Sequence, residues 1–308
     1  MSEQPTPASG EARVGALVLV GTPLGRLSDA SPGMKSILAE ADVIAAEDTR
    51  RLRRLAADLG ITLTATVLSY FEAIEAQRIP GLVQRIADGQ LVALATDAGM
   101  PSVSDPGYRL VAAVAAAGLT VTSVPGPSAV ITALALSGLP SDRFTFEGFP
   151  PRKAGERKRA LAELRSEPRT MVFFESVHRI EECLAAMVDA FGADRPAAVC
   201  RELTKTYEEV RRGPLGELSA WAASGLRGEL TIVIAGSTGE ITAPPDESAV
   251  RSEIEALVTA GRSRRDAVDE VAAGLGLTRK AVYAIATTAI ATAAIPTTEH
   301  NPGASGLR

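Results

Sequence analysis

Cysteine and histidine are almost missing from this chain. Its 308 residues include two of each: Cys183, Cys200, His178 and His300. With no CxxC pair, a disulfide framework or a thiolate zinc site has no material. A histidine triad or metal cluster fares no better, because His300 lies in a polar tail. Cys200 sits in an apolar stretch and reads as core filling, the usual fate of a free cysteine. Aromatic residues make up 4% of the chain, which argues against an extended platform for stacking single-stranded bases. Charges, glycines and prolines interrupt every apolar run before membrane-spanning length, so no membrane partner is expected. The N-terminus lacks a basic segment followed by an apolar one. No secretory signal is read there, and the cytoplasm is the expected compartment. Two nucleotide signatures are missing as well. There is no GxxxxGK followed by Ser or Thr, and the first apolar run ends in Gly21-Thr22-Pro23-Leu24-Gly25 rather than GxGxxG.

What remains is an ordinary folded composition, 46% hydrophobic and 22% charged. The length suits two domains and a small appendage. Residues 1–13 are rich in Ser, Pro, Glu and Ala and are expected to be disordered, as is the tail 296–308. From 14 to 150 short apolar runs alternate with helix-like segments. Ala16–Val20, Val43–Ala46, Leu91–Ala95 and Val121–Val124 read as strands, and Pro32–Ala41, Pro106–Ala117 and the stretch up to Ser137 as helices. Strands that stop at Gly- and Pro-rich loops and feed helices imply a parallel-rich sheet covered on both faces. After the Phe149-Pro150-Pro151 break a second α/β lobe is expected over 151–237. It has a charged helix Glu156–Ser166 and strands Met171–Phe174, Ala197–Arg201 and Glu229–Ala235. Ser237–Asp246 reads as a linker. Beyond it, 248–293 reads as helices broken by a Gly274-Leu275-Gly276 turn, the last capped by Thr278. That is the outline of a helix-turn-helix. The fold class is α/β, two-lobed, with a small C-terminal helical module.

The net charge of −5 argues against a general nucleic-acid coat, yet the basic residues cluster. One group is Arg50, Arg51, Arg53 and Arg54. A second is Arg152, Lys153, Arg157, Lys158 and Arg159. A third is Arg262, Arg264 and Arg265, with Arg279 and Lys280 close behind. Such clusters on an acidic chain point to an anionic partner, against the plainer reading of solvated helix faces. The sharpest loop is Asp97–Gly107, DAGMPSVSDPG, between an apolar strand and a helix. Its glycines and prolines permit a tight backbone that approaches a ligand closely. Asp97 and Asp105 are suited to accept bonds from an amine or a ribose; the plain alternative is a loop with capping aspartates. Val124–Ala129, VPGPSA, again follows a strand, and the helix it opens offers free N–H groups to a carboxylate. Open α/β sheets hold ligands at such strand ends.

Seven segments occur in order: Thr22-Pro23-Leu24-Gly25, AEDTR at Ala46–Arg50, DAGMPSVSDPG, VPGPSA, GLPSDRF at Gly138–Phe144, FESVHR at Phe174–Arg179 and RELTK at Arg201–Lys205. Together they resemble the family of small-subunit ribosomal RNA cytidine 2′-O-methyltransferases, inside the tetrapyrrole methylase superfamily. The resemblance covers about residues 15–236, and the helical tail is similar to that family's C-terminal module. It implies two α/β lobes with S-adenosylmethionine in the cleft between them, and a homodimer. It implies a cytidine 2′-hydroxyl in the decoding region of 16S rRNA, in the 30S subunit, as substrate. Carried onto this sequence, the cofactor set is Pro23, Asp97, Ala98, Gly99, Ser102, Ser128 and Ala129 from the first lobe. Phe174, Leu203, Gly228, Glu229 and Leu230 complete it from the second. Arg50, Arg201 and Lys205 would face RNA, joined by the clustered Arg152, Lys153, Arg279 and Lys280. Two segments depart from the pattern. Arg26 stands where relatives usually have Asn, and Ser69–Gln77, SYFEAIEAQ, lacks the His and Asn usual after the Ser-Tyr pair. These departures bear on substrate contacts rather than on the reaction type.

Methyl transfer from a sulfonium is an in-line displacement, so positioning supplies much of the acceleration, up to ~7–11 kcal/mol. A ribose hydroxyl is a poor acid and needs a base or a nearby cation as it attacks. Glu175, Glu202, Asp48 and Lys205 are the candidates within the distinctive motifs. Lys205 has two roles open to it, a desolvated neutral base or a cation beside a developing alkoxide. Plainer roles compete: Glu202 and Arg201 pairing with neighbours, and Glu175 capping the segment to His178. No metal is called for. A tetrapyrrole C-methyltransferase of the same fold is one rival reading, opposed by the basic segments and the RNA-enzyme motifs. A DNA-binding regulator built on the C-terminal helices is another, opposed by the long α/β portion it leaves without a purpose.

Overall fold

A computed structural model describes residues 14–223, 225–226, 228–237, 247–275 and 279–287. The expectations for 1–13, 296–308, Thr278 and most of the linker lie outside the described residues. The chain falls into two units, divided between Thr238 and Gly239.

The first unit holds two five-stranded sheets. Strands β1 (Ala16–Val20), β2 (Val43–Ala46), β3 (Thr66–Ser69), β4 (Leu91–Ala95) and β5 (Thr120–Val124) form an all-parallel sheet in the order β3-β2-β4-β1-β5. Period-two alternation explains why both faces are covered. Val18, Val20, Ile44, Ala46, Ala93 and Ala95 face α1 (Pro32–Glu40) and α2 (Thr49–Asp58), which supply Met34, Leu38 and Leu52. Leu17, Val43, Ala45, Val92 and Leu94 face α3 (Glu72–Ala87) and α4 (Tyr108–Ala116), which supply Leu82, Ile86, Leu110 and Val114. Burying each large side chain contributes roughly 1.5–3 kcal/mol. The chain leaves β1 and β2 toward one face and β4 toward the other. The carboxyl end of β4 therefore borders two topological switch points, where open sheets hold ligands.

The second sheet comprises β6 (Phe144–Gly148), β7 (Thr170–Ser176), β8 (Pro196–Arg201), β9 (Glu209–Pro214) and β10 (Glu229–Ile234), ordered β6-β7-β10-β8-β9. Only the β6–β7 pair is parallel; the rest is antiparallel. One face packs on α6 (Ala154–Glu163), α7 (Ile180–Phe191) and α8 (Leu215–Ala222). The other receives Val130, Ala133 and Leu134 of α5 (Ala129–Ser137), against Val172, Ala198, Cys200 and Val233. Cys200 is fully buried there as core filling, and burial pushes its thiol up to about 11. The lobe boundary expected at residue 150 is corrected by this packing. The chain passes to the second sheet after β5, because α5 and β6 bury their apolar sides there. β6 and β9 escape the sequence reading: β6 has only two apolar residues, Phe144 and Phe146, and Arg, Gly and Pro break the apolar alternation of β9.

The second unit packs α9 (Glu247–Thr259), α10 (Arg264–Leu275) and α11 (Arg279–Thr287) around Val250, Ile254, Val268, Val271 and Val282. Gly274 and Leu275 belong to α10, so they do not form the expected turn; Gly276 lies outside the described residues. Ser263 caps the start of α10, its hydroxyl accepting the Asp266 N–H and donating to the Asp266 carboxylate. No helix among the described residues is long and apolar enough to cross a membrane.

At the ends of β1 and β5 two backbones nearly touch. A Cβ on Gly21 would lie 2.5 Å from the Gly126 Cα, and one on Gly126 would lie 2.7 Å from the Gly21 Cα. Gly126→Ala is expected to cost about 1–3 kcal/mol by overpacking, read as a lower urea midpoint. An unchanged midpoint would show that these loops yield freely.

Candidate active site

The loops after β1, β4 and β5 are tied to one another. Thr22 and Gly99 exchange backbone hydrogen bonds of 2.9 and 3.0 Å. The Gly126 N–H donates to Met100 Sδ at 3.2 Å. Within Asp97–Gly107, Gly99, Ser102, Ser104 and Gly107 all have positive φ, so this loop is tightly wound, with two serines in a region that favours glycine. Gly107 also leaves no room for a side chain, since a Cβ there would lie 2.7 Å from Ser102 Oγ.

A cavity of about 400 Å³ opens against this loop. The first sheet supplies Leu24, Ala98–Met100 and Val103–Asp105, followed by Ser128 and Ala129 at the start of α5. The second sheet supplies Phe149, Phe174–Val177 and Gly228–Thr231. The last two segments adjoin because β7 and β10 run antiparallel, placing the end of one beside the start of the other. Phe174 meets Phe146 edge-on at 4.9 Å and lies tilted against Phe149 at 5.6 Å. Ser128 makes no side-chain bond as N-cap of α5, so it does not occupy the first N–H groups of that helix.

The cavity thus gathers Ala98, Gly99, Ser128, Ala129, Phe174, Gly228, Glu229 and Leu230 from the expected cofactor set, with Glu175 beside them. Other members fall elsewhere. Pro23 and Asp97 line a separate small cavity of about 70 Å³ with Glu47, Asp48 and Arg51. Asp97 is a strut there: it accepts the Asp48 N–H at 3.2 Å, pairs with Arg51 at 3.1 Å, and its own N–H donates to Glu47 at 3.1 Å. Leu203 is 7% exposed and belongs to the core beneath α5. Ser102 is not among the lining residues; its hydroxyl is buried without a partner. The sequence reading passes over Leu24, Phe149, Val177 and Thr231. The signal for Phe149 is an aromatic stranded at a Pro-Pro break, where it stays 55% exposed.

The catalytic candidates separate as well. Asp48 caps α2 through the N–H groups of Arg50 and Arg51. Its bonds to the Arg50 side chain and backbone hold its carboxyl down at about 2. It lines the small cavity rather than the large one. Glu175 is buried, accepts the Ser176 N–H at 2.7 Å and pairs with Arg179 at 3.2 Å. Arg179 in turn donates to the carbonyls of Pro150 and Pro151, fixing the approach to Phe149. Lys205 Nζ lies 3.0 Å from Glu202 Oε1 and 3.0 Å from Glu229 Oε2. Burial pulls its pKa down, but bonds to the Glu229 and Glu202 carboxylates outweigh it and the net shift is upward. Two carboxylates at 3.0 Å favour the ammonium form, which suits the cation role of the two open to Lys205. Glu202 also accepts the Glu229 N–H at 2.9 Å. That backbone bond, against some desolvation, and then the Lys205 ammonium hold its carboxyl below the usual range.

The basic residues are partly engaged. Arg201 pairs with Glu209 across β8 and β9 at 2.9 Å. Arg50 pairs with Asp48, Lys153 with Glu156 and Arg279 with Asp269. Arg152 is exposed at a shallow basin beside Phe149. The side chain of Lys280 lies outside the described residues. No cluster of His, Cys, Asp and Glu among the described residues is arranged to hold a metal.

Two sheets with a cavity at the strand ends make a two-lobed α/β architecture suited to holding a small ligand. The profile of Tetrapyrrole (Corrin/Porphyrin) Methylases matches residues 16–219. Among solved structures, a cobalt precorrin-4 methyltransferase superposes with a TM-score of 0.55 at 18% identity, over 74% of this chain and 98% of that one. A diphthine synthase superposes at 0.54 with 17% identity, over 71% and 90%. Closer in sequence, ribosomal RNA small subunit methyltransferase I of Mycobacterium tuberculosis (strain ATCC 25618 / H37Rv) is 53% identical over 260 residues, 84% of this chain and 90% of the relative. The protein of that name from Pseudomonas aeruginosa is 44% identical over 243 residues, 78% and 84%. The chain belongs to the ribosomal RNA small subunit methyltransferase I family, within the tetrapyrrole methylases. It is a methyltransferase that uses S-adenosylmethionine.

Asp105 carries a pH dependence. Burial first, then the Glu47 and Asp97 carboxylates, raise its pKa to about 7. An acid with a raised folded-state pKa contributes stability below its unfolded value, near pH ~4, and that contribution is lost as pH climbs through ~7. Asp105→Asn is expected to gain stability over the parent progressively between those limits, followed by denaturant midpoints. A difference constant across the range would show that Asp105 ionises as freely as in the unfolded chain.

Proposed function

We propose that the chain transfers the methyl group of S-adenosylmethionine to the 2′-hydroxyl of a cytidine in the decoding region of 16S rRNA, acting in the cytoplasm as a homodimer on the 30S subunit. The observation that carries this reading is the Lys205 ammonium fixed between Glu202 and Glu229, because Glu229 is also part of the cavity wall. The relatives' names, ribosomal RNA small subunit methyltransferase I, support the RNA acceptor. The motif resemblance supports the cytidine 2′-hydroxyl, the decoding region and the dimer.

The residues present fit the cofactor. Leu24, Val103, Phe149, Phe174 and Leu230 make an apolar wall suited to a purine and a thioether. The start of α5 suits a carboxylate. Asp105 and Glu175 suit an ammonium or ribose hydroxyls. When bound, S-adenosylmethionine supplies an electrophilic methyl on a sulfonium. The protein's part is placement and charge. The hydroxyl oxygen gains negative character as it attacks, and a fixed cation lowers the cost of that charge without reorganising. Lys205 provides it, oriented by two carboxylates. The cavity wall carries three carboxylates, Asp105, Glu175 and Glu229, to which the released proton can pass.

Labelled methyl transfer to unmethylated 30S subunits, followed by digestion to nucleosides, is expected to place the label in 2′-O-methylcytidine. Label on a base, or none in RNA, would overturn the reading. Lys205→Ala is expected to lower kcat by about 10²–10³-fold with cofactor affinity unchanged by calorimetry; equal kcat would remove Lys205 from the reaction. Truncation after residue 245 is expected to weaken 30S binding while sparing cofactor affinity, since Arg262, Arg264 and Arg265 are exposed at the start of α10. Undiminished 30S binding would give the helical unit another task.

A further inference from the structure

Beside the cofactor cavity lies an open basin of about 660 Å³, within the ~300–1,000 Å³ range of small-molecule sites. Gly25 and Arg26 form one bank; Glu202 and Thr204–Tyr207 form the other. The two spaces share walls. Leu24 lines the cavity and Gly25 the basin. Gly228 and Glu229 line the cavity and press against Glu202 and Lys205 of the basin: the Glu229 N–H donates to Glu202, and a Cβ on Gly228 would lie 2.3 Å from Glu202 Cγ. Lys205 spans the partition, bonded to an acid on each side.

The far bank is strained and pinned. Glu202 and Thr204 have φ of +50° and +64°, a region costly for residues with a side chain. Backbone bonds from Glu202 to Glu229, from Lys205 to Glu202 and from Glu208 to Lys205 hold the loop, and the Glu208 carboxylate accepts the Thr204 N–H. So constrained a loop presents its outer side chains in one arrangement. The outermost is Tyr207, 74% exposed. Arg26 is exposed on the opposite bank. A singly exposed aromatic is ordinary on a surface, but this one lines a cavity next to the fixed ammonium.

We propose that the basin seats the acceptor nucleotide, the Tyr207 ring stacking on its base and the Arg26 guanidinium meeting a neighbouring phosphate. The proposal rests on the RNA methyl-transfer reading above and extends it to named contacts. Unstacked bases are gripped by aromatic faces, and planar guanidinium groups suit phosphate. Seating the nucleotide there brings its ribose to the Lys205 partition, where a fixed cation adjoins the cavity wall. Tyr207 thus binds substrate and takes no part in the chemistry.

The test compares Tyr207→Ala, Tyr207→Phe and the parent in methyl transfer to unmethylated 30S subunits, with cofactor affinity measured by calorimetry. Tyr207→Ala is expected to raise the acceptor KM by about 5- to 150-fold, with kcat and cofactor affinity within about twofold of the parent. Tyr207→Phe, which keeps the ring, should restore the parent KM. A parent-like KM for Tyr207→Ala would overturn the nucleotide seat and leave the methyltransferase reading standing. A loss confined to cofactor affinity would overturn it too. Failure of the parent to methylate 30S RNA would overturn the reading beneath it as well.

Discussion

Two backbone contacts between strand-end loops set the geometry on which the site depends. Gly21 and Gly126 approach more closely than any side chain allows, and Thr22 and Gly99 pair as a short antiparallel bridge. Together they bind the ends of β1, β4 and β5 into one rigid rim. The rim fixes where Asp97–Gly107 runs and where α5 begins. Because α5 then buries its apolar face on the second sheet, the same rim orients the second lobe's contribution to the cavity. Backbone hydrogen bonds are short-range and directional, so a rim built from them positions Ala98–Gly99 and Ser128–Ala129 more tightly than flexible side chains would.

Charge is divided between two places with different tasks. Around the small cavity, Asp48 and Asp97 engage the arginines of α2 and join the loops after β2 and β4. Their pairing is structural, and Asp105 nearby has its pKa raised by burial first and then by the Glu47 and Asp97 fields. Beside the wall of the large cavity, Glu202 and Glu229 hold one lysine. Half-exposed ion pairs of this kind contribute little stability. Their effect is to hold the Lys205 ammonium in place, as the proposed role beside a developing alkoxide requires.

Much of this was legible in the sequence, for physical reasons. The parallel sheet was readable because strands buried on both faces are continuous apolar runs, as in ALVLV and LVALA. The ligand loops were readable because only Gly- and Pro-rich segments make such turns. Less legible was the change of sheet near VPGPSA, since α5 is apolar on nearly all sides and its pattern does not say which sheet it covers. The motif DAGMPSVSDPG offered both Asp97 and Asp105; periodicity does not reveal that Arg51 on α2 claims Asp97 and that Asp105 is the one at the wall of the large cavity. Phe149 and Tyr207 were missed because a lone aromatic has no pattern, and its meaning comes only from the cavity it borders.

The central claim is that the cofactor lies between the wound loop after β4 and the ends of β7 and β10. The most direct measurement is a crystal structure of the full chain with S-adenosylhomocysteine. The account predicts density bounded by Ala98–Asp105, Ser128–Ala129, Phe174–Val177 and Gly228–Thr231. Density instead in the small cavity of Pro23, Glu47 and Asp97, with the large one left to solvent, would contradict it.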